Sequence, residues 1–403
     1  MKRTDNKSLL LAGELRHELV NHILPFWMER MQDREHGGFY GQMDGENRIN
    51  PKAEKGGILN ARILWTFSAA FRYLRQKQYL DAAIRARDYI FKFFFDEKQG
   101  GTFWCLDYTG KPADTKKQIY SQAFFIYALS EYFMATGDAS GKEKAIRLFH
   151  LIEQYSFDPE HNGYFEAFDR QWRLLEDLRL SKKDANEKKT MNTHLHILEA
   201  YTSLYRIWPD KKLAEKLRNL ILLFMDRIID AESNHLNLFF DEQWNCKSSV
   251  ISYGHDIECS WLLYEAAVLL GDTGLTDKVQ DQSLRTVRAV EEGLCADGSL
   301  IYEKDRNTGH LDEDRHWWPQ AEAVVGFFNA YELTGNSAYF GLAVNIFQYI
   351  KEFLVDPSSG EWYWSIKADG TINRVDDKAG FWKCPYHNGR MCLEIMRRTI
   401  SLV

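Results

Sequence analysis

Apolar residues along this chain fall into two kinds of stretch, and the two kinds alternate. In one, Ala and aromatic residues fill most positions, as in residues 58–74, 120–136, 191–208, 253–270, 317–333 and 386–400. In the other, apolar residues return every three to four positions with charged residues between them, as in 7–31, 79–95, 142–155, 211–229 and 338–354. A period near 3.6 predicts helices in both. The first kind predicts helices buried on most faces, and the second predicts amphipathic helices with one face in water.

Between an amphipathic stretch and the next buried one lies a short glycine-and-aromatic segment. Its six copies are Gly37-Gly38-Phe39-Tyr40, Gly100-Gly101-Thr102-Phe103-Trp104, Gly163-Tyr164-Phe165, His235-Leu236-Asn237-Leu238-Phe239, Gly298-Ser299-Leu300-Ile301-Tyr302 and Gly360-Glu361-Trp362-Tyr363-Trp364. Taken from the first residue of each, the steps are 63, 63, 72, 63 and 62 residues. A fixed period means repeated units, each too small to bury its own apolar face. The segments are too short for helices, and their alternation predicts short β-hairpins. Six buried and six amphipathic helices with six hairpins at one end predict an all-α (α/α)6 barrel, read as one catalytic domain over residues 1–403. An open solenoid is the alternative. Atypical polar caps are missing from both ends, which favours closure.

Composition narrows the partners. Net charge of -7 and a pI near 6.0 argue against nucleic acid. No apolar stretch reaches the roughly 18 residues that span a bilayer. Lys2 and Arg3 precede an apolar run that stops at Glu14, too short for a signal peptide. Six cysteines without a CxxC pair suggest neither a disulfide framework nor a zinc knuckle. The expectation is a cytoplasmic protein, monomeric or a weak homodimer.

If the hairpins lead into the buried helices, they bring six helix N-termini to one end. Each begins with polar residues: Asn60 and Arg62; Tyr120, Ser121 and Gln122; Asn192, His194 and His196; His255, Asp256 and Glu258; His316, Trp318, Gln320 and Glu322; His387, Asn388 and Arg390. Buried polar groups are costly unless satisfied, so this recurrence points to a site. Bland readings stand beside it. Arg62 could bond a neighbouring carboxylate, and Asp256 could be a dipole partner. His194 and His196, two apart, point in different directions, so one is a packed core histidine. His255 and Glu258 share a face, and the carboxylate could orient the imidazole. His255, Glu258 and a distant histidine could also hold a metal, though no HExxH-type spacing appears. The long third step places an extra charged loop near residues 169–190, carrying Trp172 and Asp184: a lid over the site, or a solvated insertion.

Several segments together resemble the cellobiose 2-epimerases of the N-acylglucosamine 2-epimerase superfamily. They are Gly57-Ile58-Leu59-Asn60-Ala61-Arg62-Ile63-Leu64-Trp65, Met191-Asn192-Thr193-His194-Leu195-His196, Gly254-His255-Asp256-Ile257-Glu258, Asp314-Arg315-His316-Trp317-Trp318-Pro319-Gln320-Ala321-Glu322 and Phe381-Trp382-Lys383-Cys384-Pro385-Tyr386-His387-Asn388-Gly389-Arg390. The resemblance implies cofactor-free, metal-free epimerisation at C2 of a reducing-end sugar. It implies His255 and His387 as the acid/base pair and His196 near the C1/O5 end. It further implies Arg62 and Asn192 on developing oxygen charge, Glu258 behind His255, Trp318 and Trp382 stacked on sugars with Tyr120 nearby, and Asp184 on the second sugar of an oligosaccharide substrate.

The chemistry fits independently. A sugar α-carbon proton is weakly acidic, and histidine, with a pKa of about 6.5, is the natural base at neutral pH. Two histidines on opposite faces of one carbon give inversion; one shuttling between C2 and C1 gives aldose–ketose isomerisation. Mannose isomerase or N-acylglucosamine 2-epimerase activity therefore stays open. A glycoside hydrolase would need a carboxylate pair, and a non-catalytic sugar-binding protein would have no use for the histidines.

Overall fold

The computed structural model describes residues 6–400; Lys2 and Arg3 lie outside them. Six inner helices are α3 (Gly57–Leu74), α5 (Ile119–Thr136), α7 (Met191–Ile207), α9 (Tyr253–Leu270), α11 (Trp317–Thr334) and α13 (His387–Ile400). Between them run α4 (Lys77–Tyr89), α6 (Ala139–Tyr155), α8 (Lys211–Leu223), α10 (Thr273–Val290) and α12 (Ser337–Tyr349). The remaining outer helix is α1 (Asn6–Glu18) continued by a π-turn, Leu19–Ile23, into α2 (Leu24–Glu29).

Burial explains the two sequence patterns. Residues 57–70 of α3 and 119–132 of α5 are buried at every position. Outer helix α8 instead buries one stripe, including Leu213, Leu217, Leu220 and Ile221. Four outer helices start on side-chain caps: Asp138, Asp210, Asp272 and Asn336 each accept backbone amides of the first turn. Inner helices α5, α9 and α11 stop at Gly137, Gly271 and Gly335 in the left-handed conformation.

The inner helices pack in chain order, and α13 returns to α3, while α1 covers α13. The ring is closed, so the architecture is an (α/α)6 barrel and the solenoid alternative falls.

The strands differ from the expected local hairpins in one respect. Each outer helix does lead into a local turn, marked by single bridges such as Phe95–Thr102 and Phe157–Tyr164. The paired strands, however, connect neighbouring repeats. The strand before an inner helix pairs antiparallel with one in the next repeat: β1 (Lys55–Gly56) with β2 (Cys105–Leu106), and β4 (Lys117–Gln118) with β5 (Ala167–Phe168). Beyond β3 (Pro112–Asp114), which extends the first of these sheets, the pattern continues. β6 (Lys189–Thr190) pairs with β7 (Phe239–Phe240), and β8 (Val250–Ser252) with β9 (Glu303–Asp305). After β10 (Leu311–Asp312) on the edge of β9, β11 (Arg315–His316) pairs with β12 (Ser365–Ile366). A Met43–Ala379 bridge joins first repeat to last. Strands of two or three residues gain little alone; here they act as stitches around the ring.

The glycine segments need their turn geometry. Gly163 sits at φ +88°, and a Cβ there would lie 2.4 Å from Trp244 and 2.9 Å from His194. Asn162 and Asn234 take left-handed positions at φ 65° and 61°. Asparagine tolerates that conformation, which is how the fourth copy manages without glycine.

Candidate active site

The polar residues at the inner-helix starts separate into two registers. One register grips the protein's own backbone. Gln122 accepts Thr102 N at 2.8 Å and donates to Thr102 O at 3.0 Å. His194 Nε2 accepts Tyr164 N at 2.9 Å, and its Nδ1 bonds Thr190 O at 2.7 Å. Asp256 accepts Leu236 N at 2.8 Å and holds His235 Nδ1 at 2.6 Å. Gln320 clasps both backbone groups of Leu300, and Asn388 reaches the backbone through the Glu361 side chain: it donates to Glu361 Oε1 at 2.6 Å, which also accepts Trp362 N at 2.8 Å. Both His194 nitrogens are thus occupied, and burial pushes its pKa down to about 4. It is the core histidine of the pair.

Two residues further along, five of the six helices carry Arg62, His196, Glu258, Glu322 and Arg390; α5 carries Phe124, against which Arg62 and His196 pack. Arg390 is fully buried and is their hub. Its Nη2 donates to Glu258 at 2.5 Å and to Glu322 at 2.6 Å. Its Nη1 donates to Glu199 and to the Tyr386 hydroxyl. The Tyr386 hydroxyl donates in turn to Glu199.

Two histidines lean on these carboxylates. His387 Nδ1 lies 2.7 Å from Glu322 Oε1, and His196 Nδ1 lies 2.8 Å from Glu199 Oε2. An ionised carboxylate only accepts, so it fixes the proton on Nδ1 and leaves Nε2 with a lone pair. His255 differs: its Nδ1 is 2.8 Å from Ser252 Oγ. The expected support of His255 by Glu258 is therefore corrected. Glu258 is drawn to the Arg390 guanidinium, a stronger partner than a neutral imidazole.

His255 and His387 flank one indole. Their ring centroids lie 4.7 Å and 5.6 Å from that of Trp318. Burial, reinforced by His196, pushes the His255 pKa down to about 3. Burial and then the Arg62 and Arg390 cations hold His387 well below the usual imidazole value. Burial also drives Glu322 upward against the pull of Arg390, with Glu258 adding repulsion. His387 and Glu322 share one hydrogen bond and titrate as a pair.

The other expected site residues surround this group. Arg62 Nη2 donates to the Tyr120 hydroxyl at 2.9 Å, and its Nη1 reaches Trp382 O at 3.4 Å. Tyr120 packs edge-on to His196 at 4.9 Å. Arg62 Nε, Asn192 Oδ1 and Glu258 Oε2 are buried atoms with no hydrogen-bond partner among the described residues. Trp382 stands beside a groove of about 220 Å³ shared with Trp364, Phe381, Asp376 and Asp377. In the extra loop, Trp172 is an anchor: its Nε1 donates to Gln99 O at 2.9 Å and its ring stacks on Tyr155. Asp184 is half-buried and accepts Ser181 N at 2.8 Å. After burial and Asp312, its charge helps push Glu303, on β9, up to about 7.

One atom each from Glu258, Glu322 and His387 lie within 4.8 Å of one another, close enough for a metal. The Arg390 Nη2 group already stands between the two carboxylates. The positive charge they are built to meet is the guanidinium.

Sequence reasoning missed Glu199, Ser252 and Trp261, whose Nε1 donates to Glu322 at 3.2 Å, and it gave Arg390 no role. Glu199 lay in an apolar run, three residues after His196. The helix face the two share was the available signal.

Comparison with known proteins supports the fold and places the chain in a family. A family model described as N-acylglucosamine 2-epimerase matches residues 37–389. A cellobiose 2-epimerase of Bacteroides fragilis is 54% identical over 387 residues, 96% of this chain and 99% of its own. The structure of a cellobiose 2-epimerase from Bacillus thermoamylovorans superposes with a TM-score of 0.93 at 42% identity, covering 97% of this chain and 100% of its own. A D-mannose isomerase structure shares the fold, with a TM-score of 0.83 at 18% identity over 99% of this chain and 100% of its own. With a family model spanning most of its length and relatives this similar, the chain belongs to the N-acylglucosamine 2-epimerase family.

Proposed function

We propose that this chain is a cofactor-independent carbohydrate epimerase that reversibly inverts C2 of the reducing-end glucose of β-1,4-linked disaccharides. It converts cellobiose to glucosyl-mannose and, by the same chemistry, lactose to epilactose. The observation that carries the reading is the pair of histidines flanking Trp318, each with Nδ1 engaged and Nε2 left for chemistry. The 54% identity to a cellobiose 2-epimerase supports the choice of sugar.

In this reading the opened sugar lies on Trp318 with C2 between His255 and His387. One Nε2 takes the C2 proton, the C–H electron pair forms the C1–C2 double bond, and the carbonyl pair moves onto O1. The resulting cis-enediolate receives a proton on the opposite face from the other histidine. His196 serves the C1/O5 end during ring opening. Arg62 and Asn192 meet the oxygen charge, as preorganised dipoles do where an enolate develops. Glu258 Oε2 accepts a sugar hydroxyl, Trp382 with Tyr120 stacks the substrate, and Asp184 meets its second sugar. The whole chain acts as one catalytic domain, a monomer or weak homodimer. Its buried thiols at Cys105, Cys259, Cys384 and Cys392 suit a reducing cytoplasm.

A hydrolase reading is disfavoured because the three carboxylates of the cluster, Glu199, Glu258 and Glu322, are all engaged by Arg390. The test is incubation of cellobiose and lactose with the protein, with products resolved by NMR. Glucosyl-mannose and epilactose are expected. Free glucose would indicate hydrolysis, and accumulation of the ketose alone would indicate isomerisation.

A further inference from the structure

Arg390 ties together two histidine–carboxylate pairs that come from different helices. Its fork spans Glu199, which holds His196, and Glu322, which holds His387. Glu258 shares the same nitrogen as Glu322. None of these three carboxylates is more than 2% exposed.

The neighbouring charges can be counted helix by helix. Helix α3 brings Arg62. Helix α5 brings Tyr120 and Tyr127, phenols that burial pushes upward and keeps neutral. Helix α7 brings His196 and Glu199, helix α9 brings His255, Glu258 and the buried Cys259 thiol, and helix α11 brings Glu322. Helix α13 and the residues before it bring Tyr386, His387, Arg390 and the Cys384 thiol, both thiols being pushed up by burial. Lys383 is paired with Glu361 at 3.1 Å, and Glu394 with Arg397 and Arg398.

With every histidine neutral and every carboxylate ionised, three carboxylates face two guanidiniums, Arg62 and Arg390; burial drives Glu322 upward, so Glu322 and His387 count as one titrating pair. One negative charge is left over. A single added proton neutralises the cluster, and a second leaves it positive. Uncompensated buried charge is costly in either direction.

We propose that Glu199 acts on His387 through Arg390, as a positioning residue, so that His196 and the His387–Glu322 pair hold one proton between them and protonation of either excludes the other. His255, backed by a serine and no carboxylate, stays neutral. A neutral base thus stands on one side of C2 while the hydrogen-bonded His387–Glu322 pair can carry a proton on the other, which is what C2 inversion requires. That consequence rests on the epimerase reading; the charge count does not.

The test is NMR titration of the protein labelled at histidine Cε1, with His196 and His387 assigned by substitution. In the unsubstituted protein, the two imidazoles should together take up one proton. Glu199→Gln, which touches His196 and Arg390 but not His387, should lower the His387 midpoint by about one pH unit or more. Glu258→Gln, which touches Arg390 and no histidine, should lower it too and serves if Glu199→Gln does not fold. Two full, independent protonations, or a His387 curve indifferent to the folded variants, would overturn the proposal. Exchange at C2 of cellobiose, followed on the same samples, reports separately. Lost exchange with coupled histidines sinks only the epimerase reading, and intact exchange with independent histidines sinks only this one.

Discussion

Glu322→Gln isolates what a carboxylate contributes to His387. Glu322 Oε1 meets His387 Nδ1 at 2.7 Å and Arg390 Nη2 at 2.6 Å, while Oε2 meets only Trp261 Nε1, at 3.2 Å. A glutamine amide nitrogen therefore costs least on the Oε2 side, where it faces one neutral donor. The carbonyl then still accepts from His387 and Arg390. Shape and tautomer are kept, and the charge is lost. An adjacent carboxylate stabilises an imidazolium by about 1–3 pKa units, which is about 1.4–4 kcal/mol. If His387 gains or carries a proton in the transition state, kcat should fall about 10- to 1,000-fold, with KM for cellobiose little changed. Steady-state kinetics of C2 epimerisation, read by NMR, measure both constants. An unchanged kcat, or a loss confined to KM, would refute the role given to this pair.

Four other outcomes are expected. His194→Ala should keep its C2 exchange rate per folded molecule but lose about 1–3 kcal/mol of stability in urea unfolding, because Tyr164 N is left buried without an acceptor. His196→Ala should do the reverse, losing turnover with the fold retained. Trp382→Ala should raise KM for cellobiose about two- to tenfold, from loss of about 0.5–1.5 kcal/mol of ring packing, with a smaller change in kcat. Glu303, held at about 7 in the folded chain, binds a proton that the unfolded chain releases near its usual 4.5, so stability falls as pH rises through that window. Glu303→Gln should therefore raise the melting temperature more at pH 8 than at pH 5; an equal effect at both would contradict this sign.

The barrel was legible because burial imposes periodicity. Residues 57–70 and 119–132 have no polar face to read, and that absence marked the inner ring. The strand stitches were not legible: a two-residue strand such as Lys55–Gly56 finds its partner in another repeat, and no local pattern records that. In the site, residue type singled out His255 and His387 as candidates, but the sequence could not separate the clamp His194 from His196, which bonds Glu199. Both are buried polar residues on the same turns, and only the register relative to Tyr164 and Glu199 tells them apart. The Glu258 partner was misread for a related reason. Spacing along one helix favoured His255, but Arg390, from another helix, offers a full charge. Partners across helices outweigh neighbours within one, and a single helix's sequence does not show them.

The central claim is proton exchange at C2 between two histidines. The most direct measurement is cellobiose incubated with the protein in D2O containing EDTA, followed by NMR of both epimers. The account predicts glucosyl-mannose carrying deuterium at C2, and loss of that label when His255 or His387 is replaced by Ala in a folded variant. Glucosyl-mannose formed with hydrogen retained at C2, no exchange at all, or exchange abolished by EDTA would contradict it.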